Sequence, residues 1–168
     1  MGRAPHREIE GDPGAEVRVR LCGYAVGADD RLGLSRVEVD RAGSSYTVDT
    51  LKILRERSPE HELTLILGAD QAARLPSWRE PEAVLSLAEV AVAARGGMEQ
   101  EGVLRHLDGL PGRERLSFFA MPRIDISSTL VRERAAAGRP IRYLVPDRVA
   151  EHIEAEGLYG ATVPVSAE

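Results

Sequence analysis

Apolar positions along this chain follow two rhythms. Short apolar runs at residues 32–39, 63–67, 90–94 and 116–121 predict strands, and stripes at helical spacing fall between them. The runs at 63–67 and 90–94 are continuous rather than alternating, which predicts strands covered on both faces. Helices are expected at 16–28, with Leu21, Cys22, Ala25 and Val26 on one apolar stripe, and at 47–57, with Val48, Leu51 and Leu54 inward. Further helices are expected at 81–87, where Pro81 suits the first turn, at 98–107, and at 129–137, stopped by Gly138. A last helix at 147–156 lies between Pro146 and Gly157. Residues 1–14 are polar and rich in Gly and Pro, so they read as a loop or tail, and 160–168 reads as a frayed tail.

Strands that alternate with helices imply an α/β fold, a parallel sheet with helices on both faces. No internal repeat or low-complexity linker interrupts the pattern, so residues 1–168 read as a single domain. Ligands of such sheets sit outside the carboxyl ends of the strands. Four features are expected there: the segment before Thr47, Gly68 with Asp70, Arg95, and the residues around Ser127.

Composition narrows the choices. A chain of 168 residues can bury a sizeable core, and its formal net charge of −5 argues against general affinity for nucleic acid. Cys22 is the only cysteine, which rules out an intrachain disulfide and reads most simply as a small buried hydrophobe. No apolar run approaches a membrane span and no signal peptide opens the chain, so the cytoplasm is the expected compartment. Nothing in the chain rules out a homo-oligomer.

The stretch Ile126-Ser127-Ser128-Thr129-Leu130-Val131-Arg132 carries the strongest chemical signal. A helix start rich in hydroxyls offers unpaired N–H groups and a positive dipole end, which suits phosphate. Ser128 and Arg132 are four apart, on one face, and an arginine there can fork onto phosphate oxygens. Gly68-Ala69-Asp70 follows a strand directly; taken alone it reads first as a plain turn with Asp70 as N-cap, and otherwise as a place for close approach to a sugar. Trp78, the only tryptophan, lies in a loop, where it either caps a core edge or offers a face to an aromatic ring. Arg41, Arg95 and the hydroxyls from Ser44 to Thr47 read as solvated charge and N-capping, or as a polar ligand site. The histidines, His6, His61, His106 and His152, form no metal-binding pair, and with one cysteine no zinc site is expected. Neither a Gly-x-Ser-x-Gly elbow nor a P-loop appears.

Together these segments resemble the bacterial nicotinate-nucleotide adenylyltransferases of the nucleotidyltransferase superfamily. The resemblance rests on Glu38-Val39-Asp40-Arg41-Ala42-Gly43-Ser44-Ser45-Tyr46-Thr47-Val48-Asp49-Thr50-Leu51, on Leu67-Gly68-Ala69-Asp70, and on Trp78. It continues through Val92-Ala93-Ala94-Arg95-Gly96, the Ile126 to Arg132 stretch, and Val145-Pro146 to Gly157-Leu158-Tyr159. The resemblance implies a Rossmann-like sheet of nucleotidyltransferase type. It also implies transfer of AMP from ATP to nicotinate mononucleotide, giving deamido-NAD and pyrophosphate in NAD biosynthesis. Mg²⁺ would accompany ATP, with no covalent enzyme intermediate.

By the same resemblance Ser127, Ser128, Thr129 and Arg132 would hold ATP phosphates, and Gly68 and Asp70 would meet the adenosine side. Arg95 would line the nucleotide site, and Tyr46, Thr47 and Trp78 would form the nicotinate pocket. Arg7, in Pro5-His6-Arg7, stands where the family has a lysine facing the triphosphate; the charge is kept but the geometry differs. One departure is large. The family's Gly-Thr-Phe-Asp-Pro-x-His-x-Gly-His segment, whose histidines stabilise the transferring phosphate, has no counterpart here, so no catalytic residue is assigned. The expectation is that the first βα unit is missing, through a downstream start or a fragment, and that this polypeptide alone is impaired. The rival readings are a non-catalytic nucleotide-binding module and a phosphopantetheine-type adenylyltransferase. The second leaves the Tyr46-Thr47 run and Trp78 without explanation.

Overall fold

The computed structural model describes residues 11–94 and 100–161. Two compact units emerge: one combines Met1–Ser44 with Asp125–Glu168, and the other is Ser45–Ile124.

The Ser45–Ile124 unit is built on a parallel sheet of β1 (Thr64–Gly68), β2 (Glu89–Ala94) and β3 (Leu116–Ala120), in that spatial order. β2 is central, with Leu65 opposite Val90 and Val92 opposite Phe118. Side chains alternate across a strand. Leu65, Leu67, Val90, Val92, Leu116 and Phe118 therefore share one face, and all belong to or pack against one core cluster. Helices α2 (Thr47–Arg57), α3 (Ala69–Ala72), α4 (Pro81–Leu87) and α5 (Gln100–His106) supply the rest of that cluster. Their contributions include Val48 and Leu51, Ala72, Val84 and Leu85, and Val103, of which all but Leu51 are fully buried.

The other unit packs α1 (Ala15–Val26) against α7 (Asp147–Ala155) and surrounds α6 (Ser128–Ala136) with Ile141, Val149, Ala150 and Ile153. Tyr24 meets the His152 ring edge-on, with centroids 5.2 Å apart. Helix α6 ends as the sequence predicts, with Gly138 taking a φ of 63° just beyond the last turn. Arg36 bridges Glu16 and Asp40, and this pairing raises its pKa. Among the described residues no helix is long and apolar enough to cross a membrane.

The bounds of α2 and α4 coincide with the sequence reading, and those of the three strands fall within a residue or two of it. Three expectations are corrected. Residues 32–39 form turns and irregular backbone instead of a strand, with Leu32 and Leu34 exposed and Val37 buried. The pattern there is strand-like, but a strand needs a neighbouring ladder, and no ladder partner exists among the described residues. On α1 the predicted stripe holds only in part: Leu21 packs against a core cluster, but Ala25 is exposed and Cys22 half-buried, and the buried residue of the helix is Val19, off the stripe. Finally, β1 is not covered on both faces, because Ile66 is 68% exposed. Its face of the sheet also carries Phe119, 40% exposed, on β3.

Candidate functional site

The start of α6 takes the form expected of it. Ser127 is the N-cap, with extended backbone, and its Oγ accepts a hydrogen bond from the Leu130 N–H at 3.1 Å. The carbonyl of Ser127 accepts from the Val131 N–H at 3.1 Å. That leaves the N–H groups of Ser128 and Thr129 pointing out of the first turn without intrahelical partners. All three residues are exposed. Arg132 sits one turn further on, half-buried, and its Nη2 donates to Thr129 Oγ1 at 3.3 Å. Its charge also reaches Tyr159. Burial pushes the Tyr159 phenol upward, and the Arg132 guanidinium pulls it back down.

In the Ser45–Ile124 unit, Gly68 and Asp70 lie at the carboxyl end of β1, as anticipated. Here the capping expectation is corrected: Gly68, not Asp70, is the N-cap of α3, and Asp70 falls within its first turn. A Cβ on residue 68 would stand 2.9 Å from Asp70 Oδ1. The contact is with the tip of an exposed side chain, so it does not by itself demand glycine. Asp70 also accepts a 3.2 Å hydrogen bond from Gln71.

Tyr46 is the N-cap of α2 and Thr47 its first residue. Trp78 closes the 3₁₀ turn Leu75–Ser77, donating its N–H to the Leu75 carbonyl at 2.9 Å. Tyr46 and Trp78 are both half-buried and pack against the same core cluster. Between these two places lies Arg79, a residue the sequence reading passed over. Its guanidinium stands over the Tyr46 ring, 4.9 Å from the centroid, and 3.6 Å from both Asp49 and Glu80. Lys52 pairs with Glu80 at 2.7 Å and holds that carboxyl below the usual carboxylate range. Glu80 itself adopts left-handed backbone, φ 49° and ψ 58°, immediately before Pro81. For a side chain with a Cβ this costs about 1 kcal/mol, a strain that the rest of the turn must offset. No local pattern in the sequence pointed to Arg79, whose ring partner lies more than thirty positions earlier.

Arg7 and Arg95 lie outside the described residues. Two cavities, of about 290 and 270 Å³, open in the Met1–Ser44 and Asp125–Glu168 unit. The first is lined by Arg139, Glu154 and Ile141 among others, the second by Asp12, Arg18, Glu38 and Arg41. None of their described lining residues is one to which a substrate or ATP role was assigned above. Among the described residues, no cluster of three or more His, Cys, Asp or Glu side chains is placed to hold a metal ion.

No protein-family model matches the chain. Individual relatives do. A probable nicotinate-nucleotide adenylyltransferase of Roseiflexus sp. (strain RS-1) is 44% identical over 146 residues, 86% of this chain and 72% of that protein. One of Corynebacterium jeikeium (strain K411) is 42% identical over 149 residues, 86% of this chain and 75% of its own length. One of Tropheryma whipplei (strain Twist) is 36% identical over 158 residues, 94% of this chain and 80% of its own. Among solved structures, Plasmodium falciparum nicotinic acid mononucleotide adenylyltransferase complexed with NaAD gives a TM-score of 0.69 at 16% identity. That match covers 96% of this chain and 80% of that one. The same enzyme complexed with APC gives 0.57 at 21% identity, over 73% of this chain and 62% of that one. Identity at the level of the sequence relatives, over more than two thirds of each chain and on a fold the solved enzyme shares, makes this chain a member of the nicotinate-nucleotide adenylyltransferase family.

Proposed function

We propose that the chain transfers the AMP portion of ATP to nicotinate mononucleotide, giving deamido-NAD and pyrophosphate, a step of NAD biosynthesis. The observation that carries this is the 44% identity to a probable nicotinate-nucleotide adenylyltransferase across 86% of the chain. In the reaction a phosphate oxygen of the mononucleotide attacks the α-phosphorus of ATP, and the bond to the departing pyrophosphate breaks. The protein's contribution is positioning and charge stabilisation. Mg²⁺ fits this scheme as part of the ATP complex. The triphosphate supplies its oxygen ligands, so no dedicated cage of protein carboxylates is needed.

The roles divide by residue. Ser127, which also caps α6, takes ATP phosphates together with the N–H groups and hydroxyls of Ser128 and Thr129 and with Arg132. Gly68 and Asp70 serve the adenosine side. Tyr46 and Thr47 bound the nicotinate pocket, with Trp78 as its stacking face. Arg7 and Arg95 complete the ATP contacts in this proposal. We read residues 1–168 as one nucleotidyltransferase-like domain working in the cytoplasm.

The test is pyrophosphate release from ATP plus nicotinate mononucleotide. It compares the 168-residue chain with a version extended upstream to include a family-type histidine segment. Turnover in the extended version, and little or none in the short one, is the expected result. The 168 residues contain no such histidine pair, and this favours the alternative of a nucleotide-binding module without turnover. Binding of ATP with turnover in neither version would establish that alternative. A second result is expected from fluorescence. Trp78 is the only tryptophan of the 168 residues, so nicotinate mononucleotide should quench its emission if the ring stacks on the base. Unchanged emission at saturating ligand would remove Trp78 from the pocket.

A further inference from the structure

We propose that Arg79 is a positioning residue for the nicotinate pocket, locking the Tyr46 ring against α2 and thereby setting the affinity for nicotinate mononucleotide but not for ATP. The inference rests on the assignment of Tyr46 and Trp78 to that pocket. Its basis is geometric. The guanidinium lies 4.9 Å from the Tyr46 ring centroid, within the range in which a cation is held by the ring's negative face. The two nearest carboxylates, of Asp49 and Glu80, are both at 3.6 Å, too long for the forked hydrogen bonds that would otherwise dictate where an arginine points. Glu80 is already taken by Lys52 at 2.7 Å. The arginine is therefore steered by two carboxylates, committed to neither, and stacked on the ring.

Its place in the chain supports the same role. Arg79 follows Trp78 directly, and the next residue, Glu80, is fixed in left-handed backbone and tied to α2 through Lys52. Tyr46 and Asp49 belong to the opening turn of that same helix. Three contacts thus join the Trp78 loop to α2: Arg79 on Tyr46, Arg79 near Asp49, and Lys52 with Glu80. The four charges, Lys52, Arg79, Asp49 and Glu80, sum to zero. A neutral group of this kind adds little field at the base site, so Arg79 acts by fixing geometry rather than by attracting the carboxylate of the acid substrate. Loss of Arg79 should then weaken the acid and amide mononucleotides in equal proportion.

The experiment measures calorimetric affinities for nicotinate mononucleotide, nicotinamide mononucleotide and ATP in the upstream-extended protein, in parallel with its thermal midpoint. Arg79→Ala is expected to weaken nicotinate mononucleotide roughly three- to fivefold, the upper range for a stacked cation that remains exposed to solvent. The acid-to-amide ratio and the ATP affinity should stay within about twofold. Arg79→Lys, which keeps a cation over the ring, should recover most of the loss, and Arg79→Gln should not. A general folding defect would instead lower all three affinities together with the midpoint. If Arg79→Ala does not fold, the Lys and Gln variants alone decide. Equal mononucleotide affinity in wild type and variants overturns the role of Arg79 while leaving the pocket in place. A fall in the acid-to-amide ratio overturns positioning in favour of charge recognition. No mononucleotide binding by the unsubstituted protein overturns the pocket itself, and the role of Arg79 with it.

Discussion

Arg132→Ala weakens ATP binding by about 1.5–3 kcal/mol, the loss expected for a hydrogen bond between charged partners, or roughly 10- to 150-fold in affinity. The structure explains why this arginine, among many, should carry so much. It is half-buried on α6, and the partner it is given is a neutral hydroxyl, Thr129 Oγ1 at 3.3 Å. No carboxylate pairs with it among the described residues, unlike Arg18, Arg31, Arg36 and Arg113, each of which is bound to an aspartate or glutamate. A guanidinium so placed keeps its fork available for phosphate oxygens, beside the outward N–H groups of the first turn. Calorimetric titration of ATP into the variant measures the effect. Because Arg132 makes no ion pair that folding depends on, the melting temperature should move little. Unchanged ATP affinity would mean that the helix start is a capping structure only. The hydroxyl of Ser127 does the capping job, accepting from the Leu130 N–H, and its own O–H remains able to donate to a phosphate oxygen.

Local chemistry was legible in the sequence wherever it fixes local structure. Pro81 and the apolar stripe of Val48, Leu51 and Leu54 placed α4 and α2 to the residue, although α2 starts from Tyr46 with no side-chain cap, and Gly138 and Gly157 marked the ends of α6 and α7. What depends on a distant neighbour was not. Residues 32–39 have the composition of a strand, yet a ladder requires a second strand, and periodicity says nothing about whether one is at hand. The burial of α1 turned on its neighbours: Leu21 and Tyr24 pack against the cluster that includes α7, while the fully covered position, Val19, lies outside that cluster and off the predicted stripe. Arg79 illustrates the same limit within the site. Nothing in Ser77-Trp78-Arg79-Glu80 reveals a tyrosine more than thirty positions earlier, and only the packing of α2 beside α4 brings the ring beneath the guanidinium. Gly68 was noticed for a functional reason, and in the structure it also caps α3 at the carboxyl end of β1.

Leu75→Ala should destabilise the protein by about 2–5 kcal/mol, the range for truncating a buried leucine, where methylene transfer and residual cavity both count. Leu75 is fully buried within the Ser45–Ile124 core, and it opens the 3₁₀ turn whose carbonyl receives the Trp78 N–H at 2.9 Å. A loss of that size is a large share of the roughly 5–15 kcal/mol that holds a typical domain together. Denaturant unfolding gives the magnitude, and Trp78 emission reports the local consequence. A turn that has lost its anchor admits water, so the emission should shift to the red and the affinity for nicotinate mononucleotide should fall. The control is Ile66→Ala. Ile66 is no less hydrophobic, but it is 68% exposed on the outer side of β1, so its truncation should change stability by no more than about 0.5 kcal/mol. Burial, not residue type, thus sets the expected difference between the two. Equal costs would show that the face of β1 bearing Ile66 is covered in solution. A small cost at Leu75 would mean that the turn carrying Trp78 packs more loosely than its buried side chain implies.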